Sequence, residues 1–599
     1  MENRFAERIA AIRALMRENG WDILILTGSD PHASEYPAER WKQVPWASGF
    51  TGEAGDLVVT ADHAGLWTDT RYFIQARRQL EGTGIELHKL RVPEAVSIEE
   101  WIAALEWDHP VIAVDGLCFT AAAVRALQEA VPGARIETVP DVLSPLWEDR
   151  PAVPVTPIIT LGEDLAGESR EERLHRLRRW MVLHQLDAVF VSALDEIAWL
   201  LNVRGSDIEY NPFVISYLLV TLDDARWFVR RSEDVDAETE ESLVELEADG
   251  VMIRGYDEAA FALATLRQEG VDRLALDPAQ VNTYLRESID DGDAPAQVVE
   301  MTLPIALWKA VKNASEIDGM KEAHLEDGLV MERFLYWLEA HVGEVNEWEA
   351  ACELGRLRAG IPGYRGDSFE TISAYGPGAA LPHYVTPRQG SALLERQGLY
   401  LVDSGGQYLF GTTDITRTVP LGSVTPLQRE DYTLVLKGHI DLAMAVFPAG
   451  TAGCQIDALA REPLWRARRN FGHGTGHGVG FFLGVHEGPQ DIRQNFNPQP
   501  LLPGMVVSDE PGLYREGMHG VRHENLLLCR EMGDNEFGSW LGFEPLTLCH
   551  FDTSCLAVEL LTAEELRWLN DYQERVYRTL SPRLPAEVAA WLREKTRPV

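Results

Sequence analysis

Five residues in the last third of the chain have the chemistry of a metal centre: Asp403, Asp414, His477, Glu510 and Glu524. Asp403 and Asp414 lie in LYLVDSGGQYLFGTTDITRTVP, 399–420. An apolar run ends at Asp403, Gly405 and Gly406 offer a turn, and Asp414 sits on the returning segment. Pairing of the two strands brings such carboxylates face to face, where they repel unless a proton or a cation lies between them. NFGHGTGHGVGFFLGVHEGP, 470–489, places His473, His477 and His486 among glycines, although the whole chain holds only 16 histidines. MVVSDEPGLYREGMHGVRHENLLL, 505–528, is a second apparent hairpin, with Glu510 ending one apolar strand and Glu524 opening the next. Taken singly, each motif also reads as something ordinary: a polar hairpin, a flexible glycine-rich loop, a turn glutamate and a solvated strand end. Together they supply four carboxylates and one imidazole, and a charge of −4 matches two divalent cations. An oxygen-rich set with one imidazole suits Mn²⁺, with Co²⁺, Fe²⁺ and Zn²⁺ as rivals. Two ions held this way sit about 3.5–4 Å apart and activate a shared water.

The elements that must carry these residues follow from the apolar periodicity. From about 368 to 530 the chain reads as glycine-rich strands, preceded by a helical stretch from 306 and followed by a helical tail at 562–596. Upstream, a repeat recurs at a constant offset of 165 residues. Arg8, Ile9, Ile12, Arg13, Met16, Asp22 and Asp30 match Arg173, Leu174, Leu177, Arg178, Met181, Asp187 and Asp195. In both copies an amphipathic helix runs into a short apolar strand, ILIL at 23–26 and AVFV at 188–191. VVTADHAGLWTD, 58–69, resembles LVTLDDARWFV, 219–229, as two strands joined by a turn. The proline-rich stretch 144–157 marks one boundary, and Pro304 lies near a second. The expected division is 1–156, 157–308 and 309–599.

Composition excludes several classes. The chain has 599 residues, 54 basic against 94 acidic, for a net charge of −40. Such a surface repels phosphate, which argues against nucleic acid and against an anionic membrane as partners. No segment has the length and apolarity of a membrane span, and residues 1–20 lack the apolar core of a signal peptide. The six cysteines form no CxxC pair and no disulfide framework, which fits the cytosol.

The order of these motifs and their flanking words resembles the metallopeptidase family with the pita-bread fold, which contains methionine aminopeptidase, prolidase and aminopeptidase P. Within it the long, three-domain aminopeptidase P group is the most similar. DSGGQYLFGTTDITRT, HGTGHGVG, VHEGP, DEPGLY and FEPLTL resemble its catalytic words. SGFTGEAG (48–55), LWTDTRYFIQA (66–76) and LDEIAWLLNVRGSDIEYNP (194–212) resemble its two N-terminal domains, and KAVKN (309–313) the start of the catalytic one. The implied architecture is α/β and α+β: two related N-terminal α/β domains of creatinase type, then a pita-bread catalytic domain.

The resemblance also implies roles. Asp414 and Glu524 would bridge two ions, Asp403 would hold one, and His477 with Glu510 the other. Glu510 is also the general-base candidate. His383, in GPGAALPHY, and His473 match substrate-side histidines, and His486 a proton shuttle. Tyr514 and Arg522 match polar groups that support the metal carboxylates. Gly378, His523 and the CHFD segment (549–552) depart from the common pattern, but none removes a ligand.

The implied reaction is hydrolysis between an N-terminal residue and a penultimate proline in peptides, with an activated water and a homodimeric, cytoplasmic enzyme. Prolidase is the alternative of the same class, but its chains lack the second N-terminal repeat. A non-catalytic peptide-binding protein of the same fold is the alternative of another class, but such modules have lost metal ligands.

Overall fold

The computed structural model describes residues 4–232, 235–291 and 295–599. The chain forms two compact units, one from the described residues of Met1–Leu161 and Glu168–Ile305, the other from Gly162–Gly167 and Ala306–Val599.

The first unit contains two six-stranded sheets of one design. In the first, the strands run Glu86–Lys89, Ala64–Thr68, Asp56–Thr60, Ile23–Leu26, Val111–Asp115, Arg135–Val139. In the second they run Val251–Gly255, Ala225–Val229, Ser216–Thr221, Ala188–Val191, Arg273–Leu276, Gln297–Glu300. Both have an antiparallel three-strand core flanked by parallel pairings in the same places. The helices Arg4–Asn19 and Arg170–His184 bury Ile9, Ile12 and Met16 in one copy and Leu174, Leu177 and Met181 in the other, at the 165-residue offset. The polar matches are equally specific. Arg13 Nε donates to Thr60 O at 2.9 Å and Arg178 Nε to Thr221 O at 3.0 Å. Asp22 accepts from the Val111 amide at 2.8 Å and Asp187 from the Arg273 amide at 2.9 Å. These apolar faces and the Arg13/Arg178 and Asp22/Asp187 pairs therefore fasten each helix and strand to its sheet in the same way in both copies.

The short helix Ile305–Ala310 leads in sequence to the 28-residue helix Ala314–His341 of the second unit, capped by Asn313 and Glu316. A three-stranded sheet pairs Ile372–Tyr375, Leu399–Ser404 and Ile415–Pro420. A six-stranded sheet runs Val446–Pro448, Gly538–Pro545, Asn525–Asn535, Val506–Asp509, Gly476–Gly478, Glu487–Ile492. Two helices, Pro426–Ala443 and Gly453–Arg466, interrupt the stretch read above as strand-like. The first begins with a capping box at Thr425 and Gln428 and a proline at its first position, a start signal lost among the glycines around it. It packs with the tail helix Ala563–Leu580 in a core that includes Tyr432, Val435, Ile440, Leu569 and Val576.

Candidate metal centre

Each acidic pair is placed by strand register. Leu399–Ser404 pairs antiparallel with Ile415–Pro420, with Asp403 opposite Thr416, and Asp414 immediately precedes the second strand. The expected turn at Gly405 and Gly406 lies elsewhere. Gly406 is a strand residue of the ribbon Gly406–Tyr408/Gly411–Thr412, and the chain reverses at 409–410. Gly405 serves close approach instead, since a Cβ there would lie 2.0 Å from Thr413 O. The second pair follows the expected design: Asp509 is opposite Asn525, so Glu510 and Glu524 leave adjacent strand ends. A ribbon, Gly512–Arg515 with His519–Arg522, fills the loop between them.

The two pairs belong to different sheets, and residues 415–420 join them. The Glu524 amide donates to Thr416 O at 3.1 Å, Thr416 Oγ1 donates to Glu524 Oε2 at 2.8 Å, and Thr418 Oγ1 to Arg522 O at 2.8 Å. Buried Arg417 donates to Glu524 O at 2.6 Å and to Asn525 Oδ1 at 2.8 Å. It also donates to Cys549 O and His550 O, which gives the CHFD segment a structural task. His523 is buried edge-on against Tyr432 and Phe551.

His477 enters on Gly476–Gly478, paired with Val506–Asp509 and with Glu487–Ile492. Its Nδ1 donates to Gly478 O at 2.9 Å, so in the neutral ring Nε2 carries the lone pair. That lone pair faces Asp414 Oδ2 at 3.5 Å and Glu510 Oε1 at 3.6 Å, beyond hydrogen-bond length. Ligand atoms of Asp414, His477 and Glu524 all lie within 4.8 Å of one another. Asp403 joins through Arg522, whose guanidinium donates to Asp403 Oδ2 at 2.5 Å, to Tyr514 OH at 2.8 Å and to Thr416 Oγ1 at 3.2 Å.

The electrostatics are those of a cation cage. Asp403 Oδ1 and Glu524 Oε1 are buried and receive no hydrogen bond. Burial, then the charges of Glu524, Asp403 and Glu510, raises the Asp414 carboxyl well above the usual range. Burial and Asp403 push Glu524 up to about 8. Lone pairs converging without donors have no reason to stay together in water; positive charge between them supplies one. The donor set therefore fits metal ions.

The surrounding histidines are placed differently. His486 stacks edge-on against His477 with ring centres 4.4 Å apart. His473 gives Nδ1 to Gly474 O and receives the Tyr514 hydroxyl on Nε2, each at 2.7 Å, and its ring packs against Phe471 and Tyr514 with centroids 4.9 and 5.4 Å apart. Burial pushes the Tyr514 phenol up to about 12, so it stays a donor at neutral pH. His383 is half-buried just beyond the turn Gly376–Ala380, which packs on His519–Arg522. Buried Glu347 holds this segment by accepting from the Tyr375 amide at 2.7 Å and the Tyr384 hydroxyl at 2.9 Å.

Three supports escaped the motif reading. Asp457 and Arg461, a buried i,i+4 ion pair, hold the glycine-rich loop: Asp457 accepts from Thr475 Oγ1 at 2.6 Å and Arg461 donates to His473 O at 2.8 Å. Thr416 couples Arg522 to Glu524. Lys309 and Lys312 meet Glu487 at 2.9 and 3.2 Å with all three side chains buried, and Lys312 also donates to Val479 O at 2.5 Å. The words KAVKN and VHEGP contained these last residues, but only the fold puts them together.

Two sheets that carry these carboxylates and the imidazole, in a chain that also holds a duplicated α/β unit, define a metal-dependent hydrolase with creatinase-type N-terminal domains. Family descriptions agree along the chain: metallopeptidase family M24 over residues 318–531, a C-terminal region of that peptidase over 539–599, and a creatinase/prolidase N-terminal domain twice, over 8–146 and 149–316. The chain is 36% identical to a probable Xaa-Pro aminopeptidase P of Coprinopsis cinerea, over 99% of this chain and 98% of that one. It is 37% identical to aminopeptidase P2 of Arabidopsis thaliana, over 99% and 88%. The crystal structure of X-prolyl aminopeptidase from Caenorhabditis elegans, described as a cytosolic enzyme with a di-nuclear active site, superposes with a TM-score of 0.93 at 33% identity, covering 99% of this chain and all of that one. An Xaa-Pro dipeptidase from Bacillus anthracis shares the fold over only 64% of this chain although 99% of its own is covered, with a TM-score of 0.51 and 24% identity. The chain belongs to metallopeptidase family M24.

Proposed function

We propose that this chain is an Xaa-Pro aminopeptidase that releases the first residue from peptides with proline second. The observation that carries the reading is the meeting of Asp414, Glu524 and the His477 lone pair, with Glu510 beside His477 and the charge of Asp403 felt by both buried carboxyls, in a chain similar over its whole length to aminopeptidases of that specificity. Asp403, Asp414, His477, Glu510 and Glu524 would hold two divalent ions, Mn²⁺ first, with Zn²⁺, Co²⁺ and Fe²⁺ as rivals. When bound, such ions supply Lewis-acid activation of water and of the scissile carbonyl.

The chain's own groups do the rest. Glu510, half-exposed beside His477, accepts the proton of the attacking water. His486, packed on His477, would pass a proton to the leaving proline nitrogen, a tertiary amide nitrogen that must be protonated to depart. His383 and His473 face substrate. Arg522 and Tyr514 keep Asp403 and His473 in orientation.

The three-domain division at 156 and 308 is supported by one separate sheet in each N-terminal copy. A cytoplasmic homodimer fits the family resemblance and the cytosolic relative. Among the described residues, no helix is long and apolar enough to cross a membrane.

Product analysis on Arg-Pro, Arg-Pro-Pro and Arg-Ala-Pro tests the specificity. Release of one arginine from Arg-Pro-Pro, with poorer cleavage of Arg-Pro and none at comparable rate for Arg-Ala-Pro, is expected. Cleavage confined to the dipeptide turns the reading to prolidase, and equal cleavage of the alanine peptide removes the proline pocket. No cleavage of any peptide in metal-loaded protein favours a binding module.

A further inference from the structure

The first N-terminal sheet carries a second cluster of metal-ligating side chains, unrelated to the peptidase centre and independent of the activity proposed above. His63 closes the turn between Asp56–Thr60 and Ala64–Thr68, its amide bonded to Thr60 Oγ1 at 3.0 Å. Glu86 and His88 lie two residues apart on the neighbouring edge strand Glu86–Lys89, hence on one face. The register sets Gly65 beside Glu86 and Trp67 beside His88.

His63 Nε2 and His88 Nε2 are 3.2 Å apart, and Glu86 Oε2 is 3.8 Å from His63 Nδ1. One ligand atom from each of the three lies within 4.8 Å of the others. Two imidazole nitrogens on a tetrahedral zinc, each about 2.0–2.1 Å from it, stand roughly 3.3 Å apart. The nitrogen pair already has that separation.

The rings are also held. His88 stacks on Trp67 with centroids 3.8 Å apart and planes 6° from parallel, and the Trp67 indole is fixed by its Nε1 donating to Val96 O at 3.1 Å. His63 leans on Trp101 at 4.8 Å. Gly65 makes the arrangement possible, because a Cβ there would lie 2.7 Å from His63 Nε2 and 2.8 Å from His88 Cδ2. The tryptophans position the imidazoles, the missing side chain lets them meet, and Glu86, with its side chain 71% exposed, leaves a path for an ion.

We propose that His63, His88 and Glu86 form a second metal site for a borderline divalent ion such as Zn²⁺, which ties the 60–64 turn to the edge strand of the first sheet. Two imidazoles and one carboxylate select zinc-like ions over the harder ions favoured by the carboxylate-rich centre.

The test compares full-length protein with the His63→Ala/His88→Ala double variant. Both are dialysed to equilibrium against low-micromolar Zn²⁺ and their metal is counted by mass spectrometry. Wild type is expected to hold one more Zn²⁺ per chain than the variant and to gain more thermal stability from Zn²⁺, while both hydrolyse Arg-Pro-Pro equally after identical metal loading. Equal counts overturn the site and leave a histidine–histidine hydrogen bond. Glu86→Gln, a surface change that leaves the stacked rings intact, is expected to weaken Zn²⁺ at this site on the order of tenfold. Unchanged affinity in that variant overturns the three-ligand set.

Discussion

Glu524→Gln separates a cation cage from a merely polar core. In the metal-free protein, burial first and Asp403 second push the Glu524 carboxyl from an ordinary 4.5 up to about 8. A carboxyl raised by folding binds more protons folded than unfolded between those values, so stability falls as pH rises from about 4.5 through about 8. That interval is about 3.5 pH units; at roughly 1.4 kcal/mol each, the ionised site costs on the order of 5 kcal/mol above it and nothing below it. Glutamine cannot ionise, and its presence also removes the largest charge raising Asp414. Metal-free Glu524→Gln should therefore match wild type near pH 5 and exceed it by up to about 5 kcal/mol near pH 9. Divalent ions should reverse the order, stabilising wild type far more than a variant that has lost a ligand. Urea unfolding of EDTA-dialysed protein at both pH values, repeated with Mn²⁺, reads all four states. A metal-free variant less stable than wild type at pH 9 would refute mutual repulsion as the organising force of the site.

Three further outcomes follow from the geometry. Asp414→Asn should abolish most activity and lower bound metal; full activity with two ions per chain would eliminate Asp414 as a ligand. His486→Ala should cut kcat by on the order of 10²–10⁴ with metal content unchanged; loss of metal would make His486 a ligand and require its role and that of His477 to be reassigned. Lys312→Met removes the donor that links Val479 O to Glu487 and should cost about 1–3 kcal/mol of stability. Because Val479 and Glu487 flank His477 and His486, kcat should also fall by up to about 10²-fold with KM less affected; an unchanged kcat would show that this tether does not position the histidines.

The duplicated half and the five candidate ligand residues were legible in the sequence because both are written locally. Helix-face spacing survives as Ile9, Ile12 and Met16 against Leu174, Leu177 and Met181, and the acidic residues sit at the ends of apolar runs that pair with near neighbours. The helix Pro426–Ala443 was marked by its capping box, yet hidden by the strand-like stretch around it. What only tertiary structure decided is which distant segments meet. Thr416 joins two sheets across 108 residues, Lys312 reaches Glu487 across 175, and His63 finds His88 over Gly65 by a strand pairing that no local pattern encodes. The same holds for the lone pair of His477: its direction is set by a hydrogen bond from Nδ1 to the next residue, but its targets are set by the register of the strands around it. Sequence determines which groups are available and which local shape each prefers. The charge they share, and hence the ions they hold, depends on distances that exist only once the sheets have packed.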